Sequence, residues 1–176
     1  MKRILILLAM MVGFMTDANA MELDKENTLY LDLETGRVVI AMRPDKAPKH
    51  VERIKQLVRE GFYDGLIFHR VIEGFMAQGG DPLGTGTGGS GQNLPAEFND
   101  LPHMRGTVSM ARAASPDSAD SQFFICFNRS SFLDGEYTVW GRVVGGMEHV
   151  DAINRGEPPA NPSKIIRMQV AADVEE

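Results

Sequence analysis

Leu29, Leu31 and Leu33 alternate with Tyr30 and Asp32, the period of a half-buried strand. A tight turn at Thr35-Gly36 follows, and then the unbroken run "RVVIAM". Its β-branched, continuous apolar character predicts a second strand buried on both faces. The period then changes to that of a helix. In "DKAPKHVERIKQLVREG", Val51, Ile54, Leu57 and Val58 form one apolar stripe. Pro48 suits a first helical turn, where its missing N–H costs nothing, and Gly61 ends the helix. A second helix is predicted over "GMEHVDAINRG", with Met147, Val150 and Ile153 on one face and Gly156 as its stop.

The other ordered segments read as strands: "LIFHRVI", "FMAQGG", "GTVSMAR", "SQFFICF", "YTVWGRVV" and "SKIIRMQVA". Each is short, apolar-rich and bounded by glycine or polar clusters. Strands cluster instead of alternating with helices, which argues against a doubly wound parallel sheet. The predicted fold class is mainly β: a closed eight-stranded antiparallel barrel capped by two α-helices, which leaves no exposed edges. "AADVEE" at the C-terminus is expected to be a solvated tail.

The first twenty residues stand apart from this domain. Lys2 and Arg3 precede an apolar run from Ile4 to Met15, and "ANA" closes the segment. A basic start, a short apolar stretch and small residues at −3 and −1 predict a secretory signal peptide over 1–20, cleaved after Ala20. The apolar run is shorter than the roughly 20 residues needed to span hydrocarbon. A single domain over 21–176 is expected, with no membrane span after cleavage. Removing Lys2, Arg3 and Asp17 takes the chain from 18 basic and 24 acidic residues to 16 and 23, a net charge of −7. That balance argues against a nucleic-acid partner, whose binding rests on basic patches. It suits a freely diffusing exported protein, and nothing demands more than a monomer. The single cysteine, Cys126, lies in "FFICF", where a buried small hydrophobe is expected and not a reactive thiolate.

"GGDPLGTGTGGSG" (79–91) contains G-x-G-x-x-G at 84–89. A dinucleotide-binding turn needs a helix after it and an acid about 20 residues on. Here "SGQNLPAEFNDLP" follows, with Pro95 and Pro102 and no helical stripe, and the residue at that distance is Ser109. No Gly-Lys-Ser/Thr follows either, so the phosphate-loop reading also fails. The glycines read as a long loop of positive-φ and close-approach positions. The four histidines (50, 69, 103, 149) show no metal-ligand spacing, and no cofactor or metal is expected.

"FHRVIEGFMAQGGD" (68–81), "GTVSMARA" (106–113), "SQFFICF" (121–127) and "FLDGEYTVWG" (132–141) together resemble the cyclophilin family of peptidyl-prolyl cis-trans isomerases. The "DKAPKHV" to "GFYDGLIFHRV" stretch is similar too, and the resemblance spans roughly residues 28 to 171. It implies a barrel enzyme acting on proline-containing, unfolded or flexible chains. Rotation about a peptide bond faces a barrier of about 18–20 kcal/mol, because the C–N bond has double-bond character. A catalyst must favour the twisted state, in which the prolyl nitrogen carries a lone pair.

The resemblance assigns the residues as follows. Arg70 is the catalytic arginine, whose always-charged guanidinium would donate to that nitrogen and stabilise the twisted state over either planar one. Gln78 and Gln122 orient the arginine and the moving carbonyl. Phe75, Met76, Phe124 and Leu133 form the proline pocket. Ala111, Arg112 and Ala113 form the segment whose main chain pairs with substrate like an added strand. Gly86 lies where a glycine loop adjoins the residues before proline. Phe123 and Ile125, flanking Phe124, point away by strand alternation. His69 is read as a positioning residue, since isomerisation needs no proton transfer.

Three positions depart from common members of the family. Phe132 stands where many have tryptophan before "LD", which implies weak cyclosporin sensitivity. Tyr137 replaces a frequent histidine, and Arg112 a frequent asparagine; all three, Phe132 included, remain substrate-binding positions. These choices are similar to those of bacterial exported members, which implies a periplasmic location and a role in folding exported proteins. A proline-peptide-binding chaperone or adaptor with incidental turnover is the alternative. No G-x-S-x-G elbow supports a serine hydrolase, and "NRS" at 128–130 is read as an accidental glycosylation sequon.

Overall fold

The computed structural model describes residues 22–175. The predicted signal segment therefore lies outside the described residues. Eight strands and two α-helices lie within them: β1 (Thr28–Leu33), β2 (Gly36–Met42), α1 (Pro48–Arg59), β3 (Arg70–Ile72), β4 (Met76–Gly79), β5 (Thr107–Met110), β6 (Phe123–Cys126), β7 (Val139–Gly145), α2 (Met147–Asp151) and β8 (Ile165–Val170). The strands form one antiparallel sheet in the order β3-β4-β6-β5-β7-β2-β1-β8. All eight expected strands are present.

The expected closed barrel is not what the ladders make. The sheet curls but forms no ladder between its end strands, β3 and β8; the isolated bridge Ile67 to Lys164 and the neighbouring bond from Gly65 N–H to Ile165 O cross the gap. The physical reason is that the outer edge of β3 is already taken: Val71 exchanges two backbone hydrogen bonds with Gly156, so that edge is not offered to β8.

Strand β1 alternates as its sequence requires, with Leu29, Leu31 and Leu33 in the core. Strand β2 corrects the two-sided reading: Val38, Ile40 and Met42 are buried, whereas Val39 and Ala41 are half-buried on the other face. The solvent side of this hairpin is held by Arg37. It makes two bonds to Asp32, its cross-strand partner, and lies 4.3 Å from the Tyr30 ring centre.

Helix α1 begins at Pro48 and lacks a side-chain cap from Ala47. Its cap comes from far along the chain. Glu97 accepts from the backbone N–H groups of Lys49 and His50, both at 3.0 Å, satisfying donors the helix cannot pair itself. The far end closes on Gly61 at positive φ, with Gly61 N–H bonded to Val58 O and Phe62 N–H to Leu57 O, the Schellman pattern. The stripe of Val51, Ile54, Leu57 and Val58 is fully buried. Helix α2 is shorter than predicted. Only Met147–Asp151 is helical, and Gly156 is not its stop. The C-terminal tail is also corrected: Ala171 is buried, and Asp173 receives the guanidinium of Arg59 at 2.8 Å.

The main core joins the inner faces of β1, β2, β7 and β8 to α1, with Trp140, Tyr63, Phe68 and Phe123 as its large aromatics. A second, smaller apolar cluster holds Met76, Phe124, Cys126 and Leu133. Strand alternation separates the two. Phe123 and Ile125 enter the main core, while Phe124 and Cys126 face the other cluster, as the flanking residues predicted. No helix among the described residues is long and apolar enough to cross a membrane.

Candidate active site

The second cluster is the floor of a cavity of about 590 Å³. Its apolar lining is Phe75 and Met76 from the β3–β4 turn and β4, Phe124 from β6, Leu133 and Tyr137 from the segment before β7, and Ala111. Its polar edge carries Arg70, Gln78, Arg112 and Gly86. The sequence-predicted residues therefore converge here, with three exceptions. Gln122 and Ala113 line an adjoining hollow of about 420 Å³, which Gly86, Ala111 and Arg112 share. Phe132 lines neither. It is 69% exposed and lies beside the cavity mouth, its ring centre 5.5 Å from that of Phe75.

The polar edge is a chain of hydrogen bonds. Arg70 and Gln78 are cross-strand partners of β3 and β4, and Gln78 pairs with Phe124 of β6. Arg70 Nη1 donates to Gln78 Oε1 at 3.4 Å. Gln78 Nε2 donates to Gln122 Oε1 at 3.0 Å. Gln122 Nε2 in turn donates to Gly86 O and Gly88 O at 3.0 and 2.9 Å. A long edge-strand arginine is thus tied to the glycine loop through two amides.

Part of the glycine loop serves the protein itself, while Gly86, the position expected beside a bound polypeptide, lines the cavity. Asp81 is buried beneath the loop, and its carboxylate accepts from the backbone N–H groups of Leu83, Thr85 and Gly86. Asp120 holds the loop's far end, accepting from the N–H groups of Ser90, Gly91 and Gln92. A Cβ on Gly88 would stand 2.1 Å from Asp81 Oδ1, and one on Gly89 would stand 2.5 Å from Asp120 Oδ2. These two glycines make room for carboxylates of the protein itself. Sequence reasoning missed both acids; "GGD" directly before the glycines was the available signal for Asp81.

Arg112 does more than offer its main chain. Its Nε and Nη2 donate to Glu136 O at 3.1 and 2.9 Å, and Nη1 to Ala113 O and Ala114 O at 3.0 and 3.2 Å. The guanidinium lies 4.7 Å from the Tyr137 ring centre. One side chain therefore ties the two lips of the cavity together. The N–H groups of Ala111 and Ala113 are already given to Gln122 O and Ser118 Oγ, both at 2.9 Å.

Two histidines, His50 and His103, are paired in space with carboxylates distant in sequence, Glu97 and Asp134, which their sequence spacing did not disclose. Buried His103 places Nδ1 3.0 Å from Asp134 Oδ1 and Nε2 2.9 Å from Ser109 Oγ. This has the connectivity of a hydrolase triad but not its accessibility. Ser109 is fully buried, and its Oγ is also 3.0 Å from Thr138 O. The His103 ring stacks on Phe124 at 6.0 Å, so the array supports the pocket floor. Burial holds the His103 imidazole below its ordinary range, against the upward pull of Asp134. Arg129 and the His103 backbone N–H keep Asp134 well below the usual carboxylate range.

His69 lines the cavity and is buried, with neither ring nitrogen hydrogen-bonded. Burial lowers its proton affinity, so the ring is neutral at pH 7. Cys126 lies beside Met76, its cross-strand partner, and burial pushes its thiol up to about 12. Four further lining residues were not foreseen: Gly84 and Thr85 of the loop, Pro158, and Glu157, whose Oε1 accepts from Arg70 Nε at 2.9 Å.

Comparison with known proteins agrees with this geometry. A family model described as "Cyclophilin type peptidyl-prolyl cis-trans isomerase/CLD" matches residues 28–170. A probable peptidyl-prolyl cis-trans isomerase of Brucella suis is 50% identical over 182 residues, covering 94% of this chain and 92% of the relative. Peptidyl-prolyl cis-trans isomerase B of Bacillus subtilis is 44% identical over 133 residues, 74% of this chain and 92% of its own. Among solved structures, a cyclophilin of Hirschia baltica superposes with a TM-score of 0.81 at 30% identity, over 87% of this chain and 77% of that one. A Cryptosporidium parvum cyclophilin-type isomerase, crystallised in the presence of the dipeptide Ala-Pro, gives 0.76 at 30% identity over 81% and 98%.

Proposed function

Because the chain belongs to the cyclophilin-type peptidyl-prolyl cis-trans isomerases, we propose that it turns Xaa-Pro bonds in this cavity, with Arg70 as donor to the prolyl nitrogen, and assists the folding of exported proteins in the periplasm. The isomerase activity itself follows from the family and its relatives. Residue roles, location and clients are the proposal.

One observation carries the assignment of roles. The Arg70 guanidinium is held at the rim of an apolar cavity floored by Met76, Phe124 and Leu133. The proline ring of a bound peptide fills that floor, a reading supported by the Cryptosporidium relative's having been crystallised in the presence of Ala-Pro. With the ring immobilised, the preceding carbonyl swings. Donation from Arg70 withdraws the nitrogen lone pair, a contact made best in the twisted state and so one that lowers the barrier. The rim is built before the substrate arrives, so its donors need little reorganisation. Gln78 and Gln122 orient the arginine and the loop. Residues before proline lie along Gly86 and the Arg112 peptide unit, between the two alanines whose N–H groups are engaged.

The signal-like residues 1–20 support export, and the acidic domain supports free diffusion as a monomer without nucleic-acid partners. Phe132 beside Phe75 lacks the indole N–H of the tryptophan common there, which supports weak cyclosporin binding.

The test is the cis-to-trans rate of a short Ala-Pro peptide with the 21–176 protein, wild type beside Arg70→Ala. A fall of one to three orders of magnitude, roughly 1.4–4 kcal/mol, is expected. No acceleration by well-folded wild type would leave a proline-peptide-binding module in place of the enzyme.

A further inference from the structure

We propose that Glu157 is a positioning residue for the isomerisation: it grips the Arg70 guanidinium by its Nε–H and so presents the remaining N–H groups to the proline cavity. The inference rests on the reading of Arg70 as the donor.

Of the two side chains that hold Arg70, Glu157 holds it more closely. Its Oε1 accepts from Nε at 2.9 Å, whereas Gln78 Oε1 lies 3.4 Å from Nη1. A charge-assisted bond at that length is also stronger than an amide contact at the longer one. The backbone places the carboxylate. Gly156 exchanges two hydrogen bonds of 2.8 Å with Val71, the residue after Arg70 in β3. That fastening needs glycine: φ is +143°, and a Cβ would stand 2.5 Å from Pro159 Cα. Glu157 comes next in the chain and lines the same cavity as Arg70.

A guanidinium carries five N–H donors in a rigid fork. Two are engaged here, by Glu157 and Gln78. The others remain for substrate, and the plane of the fork is set in advance. An unheld arginine on an edge strand would have to lose its rotamer freedom in the transition state; a held one has lost it already. The arginine and glutamate side chains are 43% and 54% exposed, so the pair adds little to folding stability. Its effect is on orientation.

A carboxylate so close also offsets part of the guanidinium charge, which works against catalysis. Water screens that offset at a half-exposed site, but it does not screen geometry. Positioning therefore outweighs neutralisation, and removing the carboxylate lowers the rate.

The test uses Glu157→Ala and Glu157→Gln, each in the wild-type and Arg70→Ala backgrounds, with kcat and KM read on an Ala-Pro peptide at constant ionic strength. Glu157→Ala is expected to lower kcat about three- to tenfold with KM nearly unchanged. Glu157→Gln keeps an acceptor oxygen and should recover most of the loss. In the Arg70→Ala background, Glu157→Ala should have no further effect, because its partner is gone. An equal loss in both backgrounds would show a structural or direct role and overturn the proposal. An unchanged or raised kcat would overturn it too. Full activity in Arg70→Ala alone would remove the donor reading itself, and that single variant distinguishes the two failures. If Glu157→Ala does not fold, Glu157→Met, which removes the carboxylate at similar side-chain length, carries the same comparison.

Discussion

Gln78 Nε2 donates to Gln122 Oε1 at 3.0 Å, and through this bond the guanidinium rim and the glycine loop become one unit. The bond forms because β4 and β6 are ladder neighbours, with Gln78 opposite Phe124. Beyond it, Gln122 spends its amide N–H groups on Gly86 O and Gly88 O.

Breaking this relay should cost rate more than stability. Gln122→Ala leaves Gln78 and two loop carbonyls without their partner. We expect kcat/KM to fall about tenfold, ~1.4 kcal/mol, in either Gln78→Ala or Gln122→Ala. The double variant should fall by less than the product of the singles, because both residues act through one network. Strict multiplicativity in the peptide assay would show that the two amides act independently.

Asp81 should be the pin of the glycine loop. Burial alone would raise its proton affinity, but the N–H groups of Leu83, Gly88, Gly86 and Thr85 overcome this and hold it below the usual carboxylate range. A depressed carboxylate contributes stability that is present above its unfolded value, near 3.9, and is lost as pH falls through the folded value. Asp81→Ala should therefore destabilise the protein by about 1–3 kcal/mol at pH 7, with the loss shrinking below pH 4. Urea titrations at pH 7 and pH 3.5 measure both; an equal loss at the two pH values would contradict the ionised pin.

Three histidines set a second pH limit. Burial lowers His50, His69 and His103, and for His50 and His103 it outweighs the upward pull of Glu97 and Asp134. A depressed imidazole favours the neutral folded form. Its stabilisation is full above the unfolded value of about 6.5 and is lost as pH drops, because the unfolded chain then binds more protons. Unfolding free energy should therefore fall between pH 7 and 5. His50→Gln should flatten that slope; the same slope in wild type and variant would remove His50 from the account.

Cys126 should be silent while the protein is folded. Its thiol is buried beside Met76 and pushed up to about 12, so almost no thiolate exists at pH 8. A disulfide reagent such as DTNB should react at the unfolding-limited rate in buffer and within seconds in denaturant. Rapid stoichiometric labelling of the native protein would show that the pocket floor opens.

The pattern along the chain decided much of this. Alternation in "LYLDL", the stripe of Val51, Ile54, Leu57 and Val58, and glycine-bounded apolar runs named every strand and both helices, because each rests on contacts between near neighbours in sequence. Strand parity alone separated Phe124 from Phe123 and Ile125. The motif blocks brought Arg70, Gln78, Gln122 and the pocket residues into one site.

The tertiary structure decided what depends on distant meetings. No local pattern says that Glu97 caps α1, that Asp120 holds Ser90 and Gly91, or that His103 meets Asp134 and Ser109, since each pair is brought together by loops whose path the sheet dictates. Barrel closure failed for a similar reason: the second edge of β3 is taken by Gly156, from far along the chain, and not by β8. Glu157 is the sharpest case. Its chemistry is plain in the sequence, but its partner Arg70 lies 87 residues away, and only the bridge between Gly156 and Val71 brings carboxylate and guanidinium together.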